Sequence, residues 1–271
     1  MDSRGKMYLN SIFQFYECNK DSIALCIQVG DITNNNKPEQ WENAYNSFFS
    51  LFDKDKRPVF CLGNKDYGED GNSLTRTSKI PDKLVPPRDI WMGSDYDNYV
   101  CFFKFHSRIW AVLVLEFAPR EEAIKWANTV LSDYSAVPFI ILTHGFLNNE
   151  GQVFDFTNLE CNQQFSQKSY YLGGEYLNDS MEIFDKLIYY NENVKMLICG
   201  HAISKRYIEF NTMLNSNGEK VYFLMVNYQH YEEGGAGIIG LLSCHGDVFS
   251  LRSYSTQSNK YGDILYEFTV Q

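Results

Sequence analysis

Two short segments, Ile27-Gln-Val-Gly-Asp31-Ile-Thr-Asn34 and Cys61-Leu-Gly-Asn64-Lys-Asp66, decide the fold of this chain. Each is an apolar run that ends in glycine followed by Asp or Asn. In an α/β sheet, ligands bind at the carboxyl ends of the strands. We therefore predict that Asp31 and Asn64 lie at one sheet edge, where their side-chain oxygens offer ligands to a divalent metal.

Two histidines follow later apolar runs in the same way. The predicted strand Phe139–Leu142 ends in Thr143-His144, and the predicted strand Val194–Cys199 ends in Gly200-His201. A carboxylate, an amide oxygen and two imidazoles form a mixed oxygen and nitrogen set, which suits manganese, iron or zinc. Each residue alone also has a structural explanation, since Gly-Asp often forms a turn and a histidine often packs beside a strand. Their shared placement at four strand ends favours a common site.

The composition predicts one soluble, cytoplasmic domain over residues 1–271. The chain is 44% hydrophobic, which allows a large core, and no linker or internal repeat divides it. A formal net charge of −10 argues against nucleic acid or an anionic membrane as a partner. The seven cysteines form no CxxC pair, which is typical of free thiols in a reducing compartment.

The pattern along the chain predicts an α/β fold whose last third is all strands. Two polar loops, Tyr67 to about Asp97 and Gly145 to Asp179, are too long for simple connections, so we expect them to form walls of the site. The segment Gly235-Ala-Gly237-Ile-Ile-Gly240 matches the dinucleotide-binding fingerprint, but it opens no helical pattern. We predict a turn that leads into a strand.

Four motifs together resemble a known family. Gly30-Asp31, Gly63-Asn64-Lys65-Asp66, Thr143-His144 and Gly200-His201 resemble motifs two to five of the calcineurin-like metallophosphoesterases. The segments Gln40-Trp-Glu-Asn and Leu115-Glu-Phe-Ala-Pro-Arg120 resemble a bacterial and phage-type branch of that superfamily. The resemblance implies a two-sheet β-sandwich flanked by helices, with a dinuclear metal centre at one edge. It also implies that Asp31 bridges the two metals and that Asn64, His144 and His201 complete the ligands of the second.

The chain departs from the family pattern at three places. The first motif, Asp-x-His or Asp-x-Gln, ends an N-terminal strand that the sequence lacks, and only Asp2 could stand in for it as a metal ligand. The second histidine of the fifth motif is Ile203, whose side chain cannot ligate. Lys65 stands where the third motif has its catalytic histidine. A lysine holds its proton tightly near neutral pH and repels a second cation, so we expect at most one metal.

Two functions are compatible with this pattern. The first is a pseudoenzyme with degenerate motifs, which binds one divalent metal or none and serves as a binding or structural module with a protein partner in a larger assembly. The second is an active phosphoric-ester hydrolase, either a phosphomonoesterase or a phosphodiesterase, with Asp31 and Lys65 as catalytic residues. In either case Asn64 and Arg120 are the candidates for contact with a phosphate ester. Arg120 is included because a cation is mildly unfavourable at the start of the predicted helix.

Overall fold

A computed structural model describes residues 3–84, 88–93 and 96–270 of the chain. Its strands fall into three sheets. The strands are β1 Ile27–Gln28, β2 Val59–Phe60, β3 Ile90–Trp91, β4 Tyr99–Phe105, β5 Arg108–Val114, β6 Phe139–Leu142, β7 Val194–Cys199, β8 Ile208–Leu214, β9 Lys220–Val226, β10 Ile238–His245, β11 Val248–Ser255 and β12 Lys260–Thr269.

The central sheet has seven strands in the order β3-β4-β5-β6-β7-β9-β8. Strands β5, β6, β7 and β9 run parallel to one another, and antiparallel strands lie at both edges of the sheet. The other two sheets are the parallel pair β1-β2 and the antiparallel sheet β10-β11-β12. Because β5, β6 and β7 are parallel neighbours, the residues that follow them, including His144 and His201, reach the same edge.

The helices that flank the sheets are α1 Ser3–Asn19, α2 Pro38–Ser47, α3 Glu121–Asp133 and α4 Ser180–Ile183, which continues as a π-helical turn over Phe184–Ile188. Two of them, α2 and α4, begin at residues that favour a helix start. Pro38 occupies the first turn of α2, where its missing N–H is no loss. Asp179 caps α4 by accepting a hydrogen bond from the Glu182 N–H at 2.9 Å, and the Glu182 carboxylate accepts one from the Asp179 N–H.

Two hydrophobic cores cover the two faces of the central sheet. Side chains of a strand point alternately to opposite faces, and β5 shows both directions. Ala111 and Leu113 pack with residues of α3 and α4, whereas Val112 and Val114 face the layer formed by the other two sheets. The fold is therefore a two-layer β-sandwich flanked by helices, as predicted.

The second layer of the sandwich is divided between its two sheets. The apolar run Ile23–Val29 predicts a strand, but only Ile27–Gln28 pairs, because the partner strand β2 spans just Val59–Phe60. Among the described residues, helix α1 rather than a strand precedes β1. This helix packs against both sides of the division, through Phe13 on Phe52 at 5.1 Å and Phe15 on Tyr254 at 4.5 Å between ring centroids.

The glycine-rich segment before β10 is a turn, as predicted. Five consecutive residues, Glu233–Gly237, have positive φ angles between 45° and 108°. Three of them are glycines, which adopt this left-handed region at little steric cost. No dinucleotide-binding helix follows, since Ile238 begins the strand β10 directly.

A buried ion-pair cluster lies after the carboxyl end of β5. The side chain of Glu116 is fully buried and accepts hydrogen bonds from Arg120 Nε and Nη2, both at 3.0 Å, and from Asn98 Nδ2 at 3.1 Å. The Arg76 guanidinium lies 3.7 Å from the same carboxylate. The cluster connects the start of α3 to the sheet edge, so we infer that it fixes the loop between them.

Replacement of Glu116 by Ala is expected to lower the free energy of unfolding by about 3–5 kcal/mol, because it leaves two arginines without their buried partner. Urea denaturation measures this change. The matched control is Glu69→Ala, which breaks the exposed pair between Lys79 and Glu69 at 2.8 Å and should cost no more than about 1 kcal/mol. A loss at Glu116 no larger than the loss at Glu69 would contradict this role.

Candidate metal site

Close approach between strand ends explains the glycines of the second and third motifs. Gly63 lies against Asp31 and His144, and a Cβ atom at Gly63 would be 2.3 Å from Asp31 Oδ1 and 2.8 Å from His144 Nε2. A Cβ atom at Gly30 would be 2.4 Å from His144 Nδ1, and the Gly30 φ angle is +98°. Only glycine is compatible with both positions, since no such approach is tolerated for a real Cβ.

The structure brings three of the predicted ligands into direct contact. His144 Nε2 lies 3.3 Å from Asp31 Oδ1 and 3.1 Å from His201 Nδ1. Asp31 and His201 also have left-handed backbones, with φ angles of 52° and 66°. Such conformations are unfavourable in residues other than glycine, and they cluster at functional sites. Keeping Asp31 and His201 in contact with His144 therefore costs conformational free energy.

Backbone carbonyls determine which nitrogen of each imidazole carries a proton. His144 Nδ1 lies 2.6 Å from the Val29 carbonyl oxygen, and His201 Nε2 lies 2.9 Å from that of Phe165. A carbonyl oxygen only accepts hydrogen bonds, so these outer nitrogens are the donors. In the neutral rings, His144 Nε2 and His201 Nδ1 therefore direct lone pairs towards Asp31 and each other, which is the arrangement of metal-binding histidines.

The electrostatics of Asp31, His144 and His201 favour one positive charge among these three side chains. Burial opposes a charged His144, but the Asp31 carboxylate raises the pKa of His144 above its usual value. Burial opposes ionisation of Asp31 as well, yet His144 lowers the pKa of Asp31 to about 2. Burial and the neighbouring His144 lower the pKa of His201 to about 3. Without another cation, a proton on His144 provides this charge.

Asn64 presents an acceptor that nothing in the described chain satisfies. Its Oδ1 atom is buried and has no hydrogen-bond partner among the described residues. Asn64 precedes Lys65, whose N–H donates to Asp31 Oδ1 at 3.0 Å. A buried acceptor without a partner costs about 1–3 kcal/mol. An unpartnered amide oxygen in this loop has the chemistry of a cation ligand.

Asp66, to which the sequence analysis gave no role, organises the two loops that carry Asp31 and Asn64. Its carboxylate accepts hydrogen bonds from the N–H groups of Ile32, Thr33 and Gly63 at 2.8–3.0 Å, and from Thr33 Oγ1 at 2.8 Å. Burial and the charge of Asp31 raise the pKa of Asp66 to about 6. Its position at the end of the third motif is the only sequence signal that points to it.

The other candidate residues lie in different surroundings. Lys65 donates from Nζ to Asn34 Oδ1 at 3.1 Å. Arg120 is paired with the buried Glu116, and its Nε lies 3.7 Å from Glu175, so its charge is largely neutralised within the fold. Its contact with phosphate stays a prediction. Asp2 lies outside the described residues.

Aromatic rings surround the two imidazoles. The ring of Phe117 lies 5.6 Å from that of His144 and 5.1 Å from that of His201, and the rings of Phe165 and Tyr170 each lie 5.8 Å from that of His201. Phe165 and Tyr170 belong to the loop Gly145–Asp179, which forms a wall of the site as predicted. Packing against these rings leaves both imidazoles buried, and burial strengthens electrostatic interactions there.

The spacing of these donors can be compared with metal coordination. Two ligands that share an ion at about 2.1 Å lie about 3.0–3.4 Å apart, and the separations of 3.1 and 3.3 Å fall in this range. Among the described residues, however, His, Cys, Asp and Glu side chains alone form no group of three or more that could hold a metal ion.

Comparison with known proteins supports the fold. No protein-family model and no curated protein matches the chain. A solved structure of the purple acid phosphatase PPD1 from yellow lupin (Lupinus luteus) seeds matches with a TM-score of 0.53 and 11% sequence identity. The match covers 96% of this chain and 48% of the phosphatase, about half its length. None of the helices in the described residues is both long and apolar enough to cross a membrane.

At this identity the likeness shows the fold alone. Purple acid phosphatases belong to the calcineurin-like metallophosphoesterase superfamily, and the chain has the fold of that superfamily.

Proposed function

We propose that this chain is a metallophosphoesterase-type pseudoenzyme that binds one divalent cation and, through it, a phosphate ester. The ligands are Asp31, Asn64, His144 and His201. The observation that carries the proposal is the contact of His144 Nε2 with Asp31 Oδ1 at 3.3 Å and with His201 Nδ1 at 3.1 Å. In the nearby loop, the buried Oδ1 atom of Asn64 lacks a hydrogen-bond partner among the described residues. A cation would satisfy all of these donors at once.

The donor set indicates which cations fit. One carboxylate, one amide oxygen and two imidazole nitrogens suit manganese, iron or zinc better than calcium, which prefers oxygen ligands alone. The outer nitrogen of each ring already donates to a backbone carbonyl. For both inner nitrogens to bind a cation, only the proton on the inner nitrogen of His144 has to be released.

The surroundings argue for one cation rather than two. Two residues after His201, Ile203 occupies the position where a second imidazole would be needed. The ammonium group of Lys65, which follows Asn64, adds a positive charge near the set and opposes a second cation.

The same residues argue against rapid hydrolysis. A bound cation would supply Lewis-acid polarisation of a phosphate oxygen. Lys65 can add a positive charge for a phosphate, but its Nζ donates to Asn34 Oδ1 at 3.1 Å and an ammonium group replaces the imidazole expected at this position. Binding without turnover is the function that this residue set supports best.

Slow hydrolysis with a single metal is the second candidate. It is favoured by a cavity that reaches Asp31, His144 and His201, because a substrate can enter it next to the ligand set. The assignment to the bacterial and phage-type branch, the cytoplasmic location and a protein partner in a larger assembly are further proposals, and they rest on the sequence patterns.

Titration with Mn²⁺ or Zn²⁺ by calorimetry is expected to show one ion per chain. His201→Ala should weaken binding by more than the roughly 10- to 100-fold that loss of an outer-shell partner costs. His230→Ala, at an exposed histidine, is the control and should bind as the unaltered protein does. Equal affinities for the two variants, or the absence of binding, would contradict the proposal.

The metal-loaded protein should hydrolyse p-nitrophenyl phosphate and bis-p-nitrophenyl phosphate no faster than the Asp31→Asn variant does. Asp31→Asn keeps the shape of the side chain but removes the charge on which cation binding depends. Release of p-nitrophenol is followed by absorbance. Metal-dependent turnover that disappears in both Asp31→Asn and His201→Ala would establish the hydrolase alternative instead.

A further inference from the structure

Helix α1 and the side chains of Asp31, His144 and His201 line one cavity of about 360 Å³. The helix residues that line it recur at the three- and four-residue spacing of a single helical face: Gly5, Tyr8, Leu9 and Ile12. All four lie in the first ten residues of the helix. The N-terminal half of α1, residues 3–12, therefore forms a wall of the cavity.

Polar side chains fasten this half of the helix to the rest of the protein. Glu233, in the glycine-rich turn before β10, accepts hydrogen bonds from the Arg4 guanidinium and the Tyr8 hydroxyl. The side chains of Arg4 and Glu233 are 68% and 42% exposed, so water and dissolved salt compete for this pair. Further along the helix, Ser11 Oγ lies 2.6 Å from Thr256 Oγ1.

Aromatic packing anchors the C-terminal half of α1, residues 13–19. The ring of Phe13 lies 5.1 Å from that of Phe52. The ring of Phe15 lies 4.5 Å from that of Tyr254. Phe52 and Tyr254 are buried, and burial of apolar surface gives an attraction that salt does not screen. The two halves of the helix are thus held by different forces.

The sequence of α1 adds little stability to the helix. Arg4 and Lys6 place positive charges in its first turn and Glu17 places a negative charge in its last turn, so both ends oppose the helix dipole. Gly5 lowers the helix propensity further. Packing must therefore keep α1 folded, and no described side chain of the helix is fully buried.

We propose that residues 3–12 of α1 form a lid on the cavity, which opens while residues 13–19 stay in place, and that Glu233 is the latch. Opening gives solutes too large for the closed cavity access to the His201 imidazole, which is 6% exposed when the lid is closed. The lid depends on how α1 is held and not on what binds beside the histidines, so it goes beyond the proposed function.

Amide hydrogen exchange of the full chain, resolved by NMR, tests the opening. Amides of the first turn lack helical partners, so residues 7–12 are compared with residues 13–18. Residues 7–12 should exchange at least about tenfold faster, because they open without unfolding of the anchored half. Glu233→Gln keeps the shape of the latch but removes its charge. It should speed exchange of residues 7–12 about two- to fivefold, the factor that an exposed ion pair contributes, and leave residues 13–18 unchanged.

The matched control is Glu232→Gln, which removes the same charge from the neighbouring residue of the same turn. Glu232 is exposed and does not line the cavity, so its replacement should leave exchange in both halves unchanged. Equal exchange of residues 7–12 in the two variants would overturn the proposal.

Acylation by diethyl pyrocarbonate, located by mass spectrometry, measures access to His201. Burial and His144 lower the pKa of His201 to about 3, so its ring is neutral at pH 7 and the rate reports access. Relative to the exposed His230, the rate at His201 should rise in Glu233→Gln by the same factor as the exchange. Faster exchange without faster acylation would overturn the lid.

A reversible cross-link tests the closed state. Because the Ser11 and Thr256 hydroxyl oxygens lie 2.6 Å apart, Ser11→Cys with Thr256→Cys places two thiols within reach of a disulfide. Oxidation with glutathione disulfide should slow acylation of His201, and dithiothreitol should restore it in the same sample, which separates access from a folding defect. An unchanged rate in the cross-linked protein would contradict the proposal. No metal is added in these measurements, so failure of Mn²⁺ binding would leave the lid intact.

Discussion

The close approach of two strand ends around Asp31 is the constraint on which the site depends. Gly63 lies where any Cβ atom would overlap the Asp31 carboxylate, and Gly30 lies equally close to the His144 ring. Asp66 holds both loops in this position through four hydrogen bonds. The left-handed backbone of Asp31 costs of order 1–3 kcal/mol, and it persists because these contacts leave the residue no alternative.

From this approach follows a compact set of polar side chains. His144 Nε2 contacts both the Asp31 carboxylate and His201 Nδ1, and the outer nitrogen of each ring donates to a backbone carbonyl. Ile203 stands where a further imidazole ligand would be needed, and Lys65 adds a positive charge, so these residues favour one cation over a dinuclear centre.

Much of the fold was predictable because its strands are buried apolar runs with clear ends. Phe139–Leu142 and Val194–Cys199 have the predicted bounds. The convergence of His144 and His201 also followed from parallel strands that end at one edge, whereas Asp31 reaches them from β1, which belongs to a separate sheet. β1 is shorter than predicted, because pairing depends on a neighbouring strand and the apolar run Ile23–Val29 cannot reveal whether one exists.

The remaining features depend on contacts between residues far apart in the chain. The Val29 and Phe165 carbonyls fix the protons of the two histidines, and neither carbonyl has a sequence signature. Glu116 engages Arg120, although the position of Arg120 at the start of a helix suggested a phosphate ligand. The position of α1 beside the site could not be predicted either, since its apolar residues indicate only that it packs somewhere.

The most direct test of a single cation site is anomalous X-ray diffraction from a crystal grown with Mn²⁺ or Zn²⁺. The account predicts one anomalous peak, within bonding distance of Asn64 Oδ1, Asp31, His144 Nε2 and His201 Nδ1. A second peak on the cavity side of Asp31, or no peak beside Asn64 Oδ1, would contradict it.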